Sequence, residues 1–176
     1  MKSTTTHTPE RRSVLKHLAI WMSSVTLLPF SKSSLAAATT TLQISRAEWR
    51  KLLPKESYDV LFEEDTEAPG SSALNTEKRK GTYICAACFL PLFDSAFKFD
   101  SGTGWPSFFD VLPGAIGKRD DTRLFITRTE YHCARCGGHQ GHVFDDGPQP
   151  TGLRYCNNGV ALQFVPAENE LPELRS

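Results

Sequence analysis

The sequence predicts a mainly β domain with short helices at its start, and three observations carry that prediction. From Gly81 onward, short runs alternate apolar residues with others and are broken by Gly and Pro. A period of two marks strands with one buried face. Helix signals are confined to the stretch before it, between Ser45 and Glu63. Four of the five cysteines then fall into two Cys-x-x-Cys pairs, Cys85-Ala-Ala-Cys88 and Cys133-Ala-Arg-Cys136, while Cys156 stands alone. At 176 residues the chain is long enough for one domain with a core.

In chain order, residues 1–38 come first and read as a targeting segment. They hold five basic side chains (Lys2, Arg11, Arg12, Lys16 and Lys32) and one acid, Glu10. Arg11-Arg12 leads an apolar run from Leu18 to Leu28, which Pro29 ends, and Leu35-Ala36-Ala37-Ala38 suits a signal peptidase. The run is too short and too Ser-rich to span a bilayer stably, so no lasting membrane insertion is expected. Glu10-Arg11-Arg12-Ser13-Val14-Leu15-Lys16 resembles the twin-arginine export signal, with Val14 where that signal usually has Phe. An ordinary Sec signal and an uncleaved anchor are the alternatives. Export leaves a domain at 39–176, expected in the bacterial periplasm. Exposed dithiols there tend to oxidise. A route that carries folded proteins lets the thiols bind metal beforehand. Without the leader, 15 basic side chains face 19 acidic ones, a net charge of −4. That balance argues against a nucleic-acid partner.

Ser45-Arg46-Ala47-Glu48 is a capping-box pattern and predicts a helix from Arg46 to about Leu53, ended by Pro54. A second short helix is expected over Ser57 to Glu63. Residues 65–80 are polar, contain Pro69-Gly70-Ser71-Ser72 and read as a surface loop. Thr82-Tyr83-Ile84 leads into the first cysteine pair as a strand. Leu124 and Ile126 alternate with Phe125 and Thr127 ahead of the second pair. Val160, Leu162 and Phe164 alternate with Ala161, Gln163 and Val165 near the end.

A Cys-x-x-Cys turn puts two thiolates on one side of a tight loop, and two such turns complete a tetrahedron around Zn²⁺ with bonds of about 2.3 Å. Cys85, Cys88, Cys133 and Cys136 are therefore expected to hold one structural zinc, since four thiolates leave no open position. Two disulfides are the competing reading in an exported chain. A thioredoxin-like redox pair lacks the βαβ context that normally carries it. With four cysteines on metal, Cys156 is the thiol left for chemistry; the alternative is a buried, inert cysteine. Arg154 shares its face if the segment is a strand, and a cation there favours thiolate. His139 and His142, in His-Gln-Gly-His, are either general acids or structural. Ser101-Gly102-Thr103-Gly104-Trp105-Pro106-Ser107-Phe108-Phe109 joins backbone freedom to a large aromatic surface. It forms either an apolar pocket wall or part of the core.

Together these motifs resemble the B-type methionine sulfoxide reductases over about residues 43–166. The residues that carry the resemblance are Gly81-Thr82-Tyr83-Ile84-Cys85-Ala86-Ala87-Cys88, then Phe99-Asp100-Ser101-Gly102-Thr103-Gly104-Trp105-Pro106-Ser107-Phe108, then Cys133-Ala134-Arg135-Cys136. Gly141-His142-Val143-Phe144-Asp145-Asp146-Gly147-Pro148 and Pro150-Thr151-Gly152-Leu153-Arg154-Tyr155-Cys156 follow in order. The family often has Leu where Gln140 stands, and Asn-Ser-Ala in place of Asn158-Gly159-Val160.

The resemblance implies two antiparallel sheets around a small core, with peripheral helices and a four-cysteine zinc site remote from the reaction centre. It implies that Cys156 is the nucleophile that reduces the R epimer of methionine sulfoxide, mainly in proteins, and becomes a sulfenic acid. His139 and His142, with Asn158, form the polar group that serves the sulfoxide oxygen. Trp105 packs the substrate's ε-methyl with a neighbouring phenylalanine, Phe108, and Arg154 completes the expected substrate site. Many family members carry a second redox cysteine at the position of Thr103. Its absence implies an external thiol reductant: thioredoxin, a glutaredoxin or a small thiol. A zinc-stabilised binding module and a redox sensor built on Cys156 are the rival classes, and neither turns over a sulfoxide.

Overall fold

A computed structural model describes residues 42–122 and 127–176 of the chain. The leader expected at 1–38 and the strand residues Leu124, Phe125 and Ile126 lie outside the described residues. Among the described residues two α-helices come first. In α1 (Arg46–Leu52), Ser45 Oγ accepts from the Glu48 backbone N–H while Glu48 Oε2 accepts from the Ser45 N–H, the reciprocal cap its sequence predicts. α2 (Lys55–Glu63) starts two residues before Ser57, because Pro54 fits the N-terminal boundary and leaves Lys55 free to enter the helix. Glu64 ends it in the left-handed region at φ 60°. Trp49 of α1 stacks on Phe62 of α2 with ring centroids 5.2 Å apart, which fastens the pair together. Among the described residues, no helix is long and apolar enough to cross a membrane.

Among the described residues nine strands follow: β1 (Gly81–Cys85), β2 (Pro91–Asp94), β3 (Lys98–Phe99), β4 (Ser107–Phe108), β5 (Ile116–Asp121), β6 (Arg128–Cys133), β7 (His139–Phe144), β8 (Arg154–Asn157) and β9 (Leu162–Pro166). They form two antiparallel sheets, one of order β2-β1-β9 and one of order β3-β4-β8-β7-β6-β5. Val160 does not join the last strand as its alternation suggests. Residues 159–161 close a 3-10 turn instead, because the Glu67 carboxylate accepts the backbone N–H groups of Gly159 and Val160. The strand begins one residue past that turn.

The core lies between the sheets and is largely aromatic. Tyr83 and Phe93 come from the small sheet, and Phe108, Tyr131 and Tyr155 from the large one, and all are buried. Phe93 stacks on Phe108 at 4.1 Å, and Tyr83 meets Phe108 edge-on at 4.9 Å. Each such pair contributes about 0.5–1.5 kcal/mol beyond its buried area. The core therefore uses one face of the large sheet. The other face of β4, β8, β7 and β6 carries the chemistry.

Candidate active site and metal centre

The two Cys-x-x-Cys turns share one construction. The first leaves β1 and turns through Phe89 at φ 65°, with Phe89 N–H bonded to the Cys85 carbonyl at 2.9 Å. The second leaves β6 and turns through Gly137 at φ 70°, with Gly137 N–H bonded to the Cys133 carbonyl at 2.9 Å. Each turn presents two sulfurs on one side. Cys85 and Cys136 Sγ lie 3.6 Å apart, Cys88 and Cys133 Sγ 3.5 Å, and all four within 4.8 Å of one another. A tetrahedral site with bonds of about 2.3 Å has edges of about 3.8 Å, so these sulfurs fit one metal ion. As free thiols they conflict. Burial pushes Cys85 well above the ordinary thiol range, while hydrogen bonds from Cys133, Cys136 and Cys85 hold Cys88 far below it. A divalent cation lets every sulfur be thiolate and removes the conflict. The four cysteines can thus hold a single structural metal ion.

None of those cysteines lines the cavity at Cys156. That site is set by the register of the large sheet. Ser107 on β4 pairs with Cys156 on β8, Cys156 with His142 on β7, His142 with Glu130 on β6, and Glu130 with Arg119 on β5. Directly paired residues of an antiparallel sheet put their side chains on the same face, with Cβ atoms about 4.5–5.5 Å apart. One transverse row therefore runs Ser107, Cys156, His142, Glu130, Arg119, on the face opposite the aromatic core. Gly141 makes the row tight: a Cβ there would overlap the Cys156 carbonyl oxygen.

His139 joins this face through a β-bulge. Residues three apart on a regular strand point to opposite faces. Here His132 pairs with His139 and Tyr131 with Gly141, so Gln140 is an extra residue. The bulge turns His139 to the side of His142, and their rings lie 5.5 Å apart. Each ring has a carboxylate partner that is itself held by an arginine. His139 Nδ1 bonds Glu130 Oε1 at 2.7 Å, and Glu130 also accepts from Arg119 Nε. His142 Nε2 bonds Asp121 Oδ2 at 2.8 Å, and Asp121 accepts from Arg128 Nη2 at 2.6 Å. Burial works to raise the Glu130 pKa, but the hydrogen bonds and charges of His139 and Arg119 outweigh it and hold the carboxyl below its usual range. Burial pushes the His142 imidazole below its ordinary value, against the pull of Asp121.

The Cys156 thiol is half-buried, and burial pushes its pKa up. The Arg154 charge and hydrogen bonds to Thr103, Arg154 and Ser107 pull it back. Beside the thiol opens a cavity of about 210 Å³ lined by Trp105, Phe144, Arg128, His142, Asn158 and their neighbours. The Trp105 indole N–H donates to the Glu67 carbonyl at 3.1 Å, which fixes the ring as a wall of the cavity. A larger, charged hollow adjoins it, lined by His139, His142, Glu130, Asp121, Arg119 and Arg128 among others.

The structure corrects one expectation outright and refines two. Phe108 is fully buried in the aromatic core and cannot touch a substrate in this cavity. The pleat is the reason: its neighbour Ser107 faces the thiol, so Phe108 must face inward. Phe144 is the phenylalanine on the cavity wall. Arg154 does not line the cavity either. It is buried beside Cys156, grips Asp146 through Nε at 2.7 Å and Nη2 at 2.9 Å, and lies over the Phe144 ring at 4.2 Å. Asn158 does line the cavity, but its amide joins two segments: Oδ1 accepts from Glu67 N–H and Nδ2 donates to the Gln140 carbonyl. Glu130, Asp121 and Arg128 had no motif in the sequence, Ser107 and Phe144 lay in motifs without an assigned role, and register brings all five to this face of the sheet.

A half-buried thiol, two imidazoles and an apolar wall, in a domain whose four-cysteine cluster can hold a metal, are the groups of an oxidoreductase. Comparison with known proteins gives the family. A SelR domain model matches residues 53–166. The chain is 50% identical over 132 residues to a peptide methionine sulfoxide reductase MsrB of Methanosarcina barkeri, covering 74% of this chain and 93% of that one. It is 52% identical over 123 residues to the protein so named in Agrobacterium fabrum, covering 69% and 91%. For that of Leifsonia xyli the figures are 53% over 126 residues, 70% and 91%. The chain belongs to this family, the SelR-domain peptide methionine sulfoxide reductases.

Proposed function

We propose that this chain reduces the R epimer of methionine sulfoxide in proteins through Cys156, which ends the half-reaction as a sulfenic acid. The observation that carries the reading is the pairing of Cys156 with His142 across β7 and β8, beside a cavity walled by Trp105. A sulfoxide oxygen leaves sulfur only when it receives a proton, so a thiolate and an acid must act on one sulfur together. In the resting site the directions of the two shifts put the proton on the thiol and leave His142 neutral. His142 takes that proton as Cys156 attacks, and with His139 delivers it to the oxygen. The oxygen finishes on Cys156, whose sulfur loses two electrons, and the substrate sulfur gains two and leaves as methionine. Trp105 and Phe144 receive the ε-methyl. A flat apolar wall on one side and the imidazoles on the other fix the configuration at sulfur.

Thr103 stands within hydrogen-bonding reach of the Cys156 thiol, where a second cysteine would attack the sulfenic acid. Threonine cannot, so an external thiol restores the enzyme: thioredoxin, a glutaredoxin or a small thiol. When bound, zinc is the ion that suits four thiolates, and it joins the two cysteine turns without taking part in the reaction.

Turnover on the separated epimers with several reductants tests the reading. The R epimer should be reduced and the S epimer not. Cys156→Ser should abolish reduction with metal content kept, and His142→Asn should lower the rate by about 10²-fold, the ordinary worth of positioned acid catalysis. Equal turnover of both epimers, or full activity in Cys156→Ser, contradicts it.

The second element of the proposal is export of the folded protein, supported by Arg11-Arg12 and the apolar run after it. In that setting the substrates are oxidised exported proteins. Arg11→Lys with Arg12→Lys should retain metal-loaded protein in the cytoplasm, and unchanged delivery to the periplasm points to a Sec route instead.

A further inference from the structure

Glu130 is a buried carboxylate with two partners and no contact to the cavity at Cys156. It sits in the transverse row between His142 and Arg119. Its oxygens are divided between two jobs: Oε2 accepts from Arg119 Nε and Oε1 meets His139 Nδ1 at 2.7 Å. Arg119 is held in turn by Glu64, which follows α2. A carboxylate whose other oxygen is already bound by a guanidinium has one orientation left. An ionised carboxylate only accepts hydrogen bonds, so the His139 hydrogen must lie on Nδ1. That leaves Nε2 as the nitrogen able to carry a proton towards the reaction. The bulge at Gln140 sets which face His139 occupies, and Glu130 sets how the ring is turned on it.

We propose that Glu130, fixed by Arg119, is a positioning residue of the reduction: it locks the His139 ring with Nδ1–H bound and Nε2 presented as the proton-carrying atom. The inference rests on the Cys156 reading above. It makes the two histidines unequal. His142 pairs with the thiol and exchanges its proton, whereas His139, farther along the face and backed by a buried anion, holds a proton for the oxygen. The charged and titratable groups around His139 are Glu130, His132 and Arg128 from β6, Arg119, Asp120 and Asp121 from β5, His142 on its own strand, and Glu64 after α2. Glu130 is the one that hydrogen-bonds it.

The test uses the full metal-loaded protein and compares wild type with Glu130→Gln and Glu130→Asp. Glutamine keeps the size and removes the charge. In Glu130→Gln, kcat should fall about tenfold with KM for a sulfoxide peptide nearly unchanged. Alkylation of Cys156 by iodoacetamide in the absence of substrate should stay at the wild-type rate, because the thiol and His142 are untouched. Glu130→Asp should recover part of kcat. Nitrogen NMR of the wild type is an independent measurement that needs no variant: His139 should be the Nδ1–H tautomer when neutral. A wild-type kcat in a folded Glu130→Gln protein overturns the proposal. So does an equal loss of alkylation and turnover, or the Nε2–H tautomer in the wild type. If the wild type itself turns over no sulfoxide, the Cys156 reading fails instead, which keeps the two claims separable.

Discussion

At Cys156 two influences oppose each other. Burial raises the thiol pKa, and Arg154 is the charge that lowers it. The sign of a substitution follows. Arg154→Ala removes the cation, so the thiol should ionise only at higher pH and its alkylation by iodoacetamide at pH 8 should slow several-fold. The slowing should shrink as the pH is raised through the shifted titration, and a rate equal to wild type at every pH would remove Arg154 from the account. The variant also releases Asp146, whose carboxyl the arginine holds below its usual range by hydrogen bonding, so the change in Cys156 must be read with the fold verified. Much of this residue-level picture is legible in the sequence. Cys156 is the odd thiol once the pairs are counted, and Arg154 is two residues away on the same strand. Phe108 was not legible, because adjacent aromatic and hydroxyl residues in Pro106-Ser107-Phe108 give no sign of which faces inward. Only the pairing of Ser107 with Cys156 decides it.

Among the elements, β7 carries the most information per residue. A strand with His-Gln-Gly-His would ordinarily separate its histidines to opposite faces. The bulge at Gln140 reunites them, and no local signal in the sequence marks it. What the sequence does contain is Gly141, whose missing side chain lets β7 approach β8 at the Cys156 carbonyl. Gly141→Ala should force the strands apart. The expected cost is about 1–3 kcal/mol, typical of overpacking a tight site, read as a lower midpoint in denaturant. Activity should fall further than stability alone requires, because His142 and Cys156 lose their register. An alanine variant with wild-type midpoint and rate would show that the strands do not meet this closely. The end of the chain teaches the same lesson. The alternation from Val160 is correct as a pattern, but Glu67, 93 residues earlier in the case of Val160, captures the backbone and delays the strand. Long-range partners of that kind leave no periodicity to read.

On the scale of the molecule, the metal centre is a staple between sheets. Cys85 ends β1 of the small sheet and Cys88 lies in the turn after it, while Cys133 ends β6 of the large sheet and Cys136 lies in the turn between β6 and β7. Gln140, the bulge residue, also reaches this centre, with Nε2 donating to Cys85 Sγ at 3.5 Å. Loss of the metal should therefore weaken the joint between the sheets as well as the turns. Cys85→Ser or Cys136→Ser should lose the ion and melt at a Tm lower by many degrees, since metal binding in such sites is folding free energy. A metal-free protein with two disulfides and an unchanged Tm would contradict this. The β character and the cysteine set were readable from alternation and spacing, and the division into two sheets was implied by the family resemblance. The transverse row of Ser107, Cys156, His142, Glu130 and Arg119 was not, because it draws one residue from each of five separate strands. The central claim concerns that row: Cys156 takes the oxygen and, with Thr103 beside it, has no intramolecular thiol to pass it to. The most direct measurement is a single turnover without reductant, followed by mass spectrometry of the protein and quantification of methionine. The account predicts one methionine per chain and one sulfenic acid, trapped at Cys156, with no new disulfide. A disulfide between Cys156 and any cysteine of the metal centre, formed as fast as methionine appears, would contradict it.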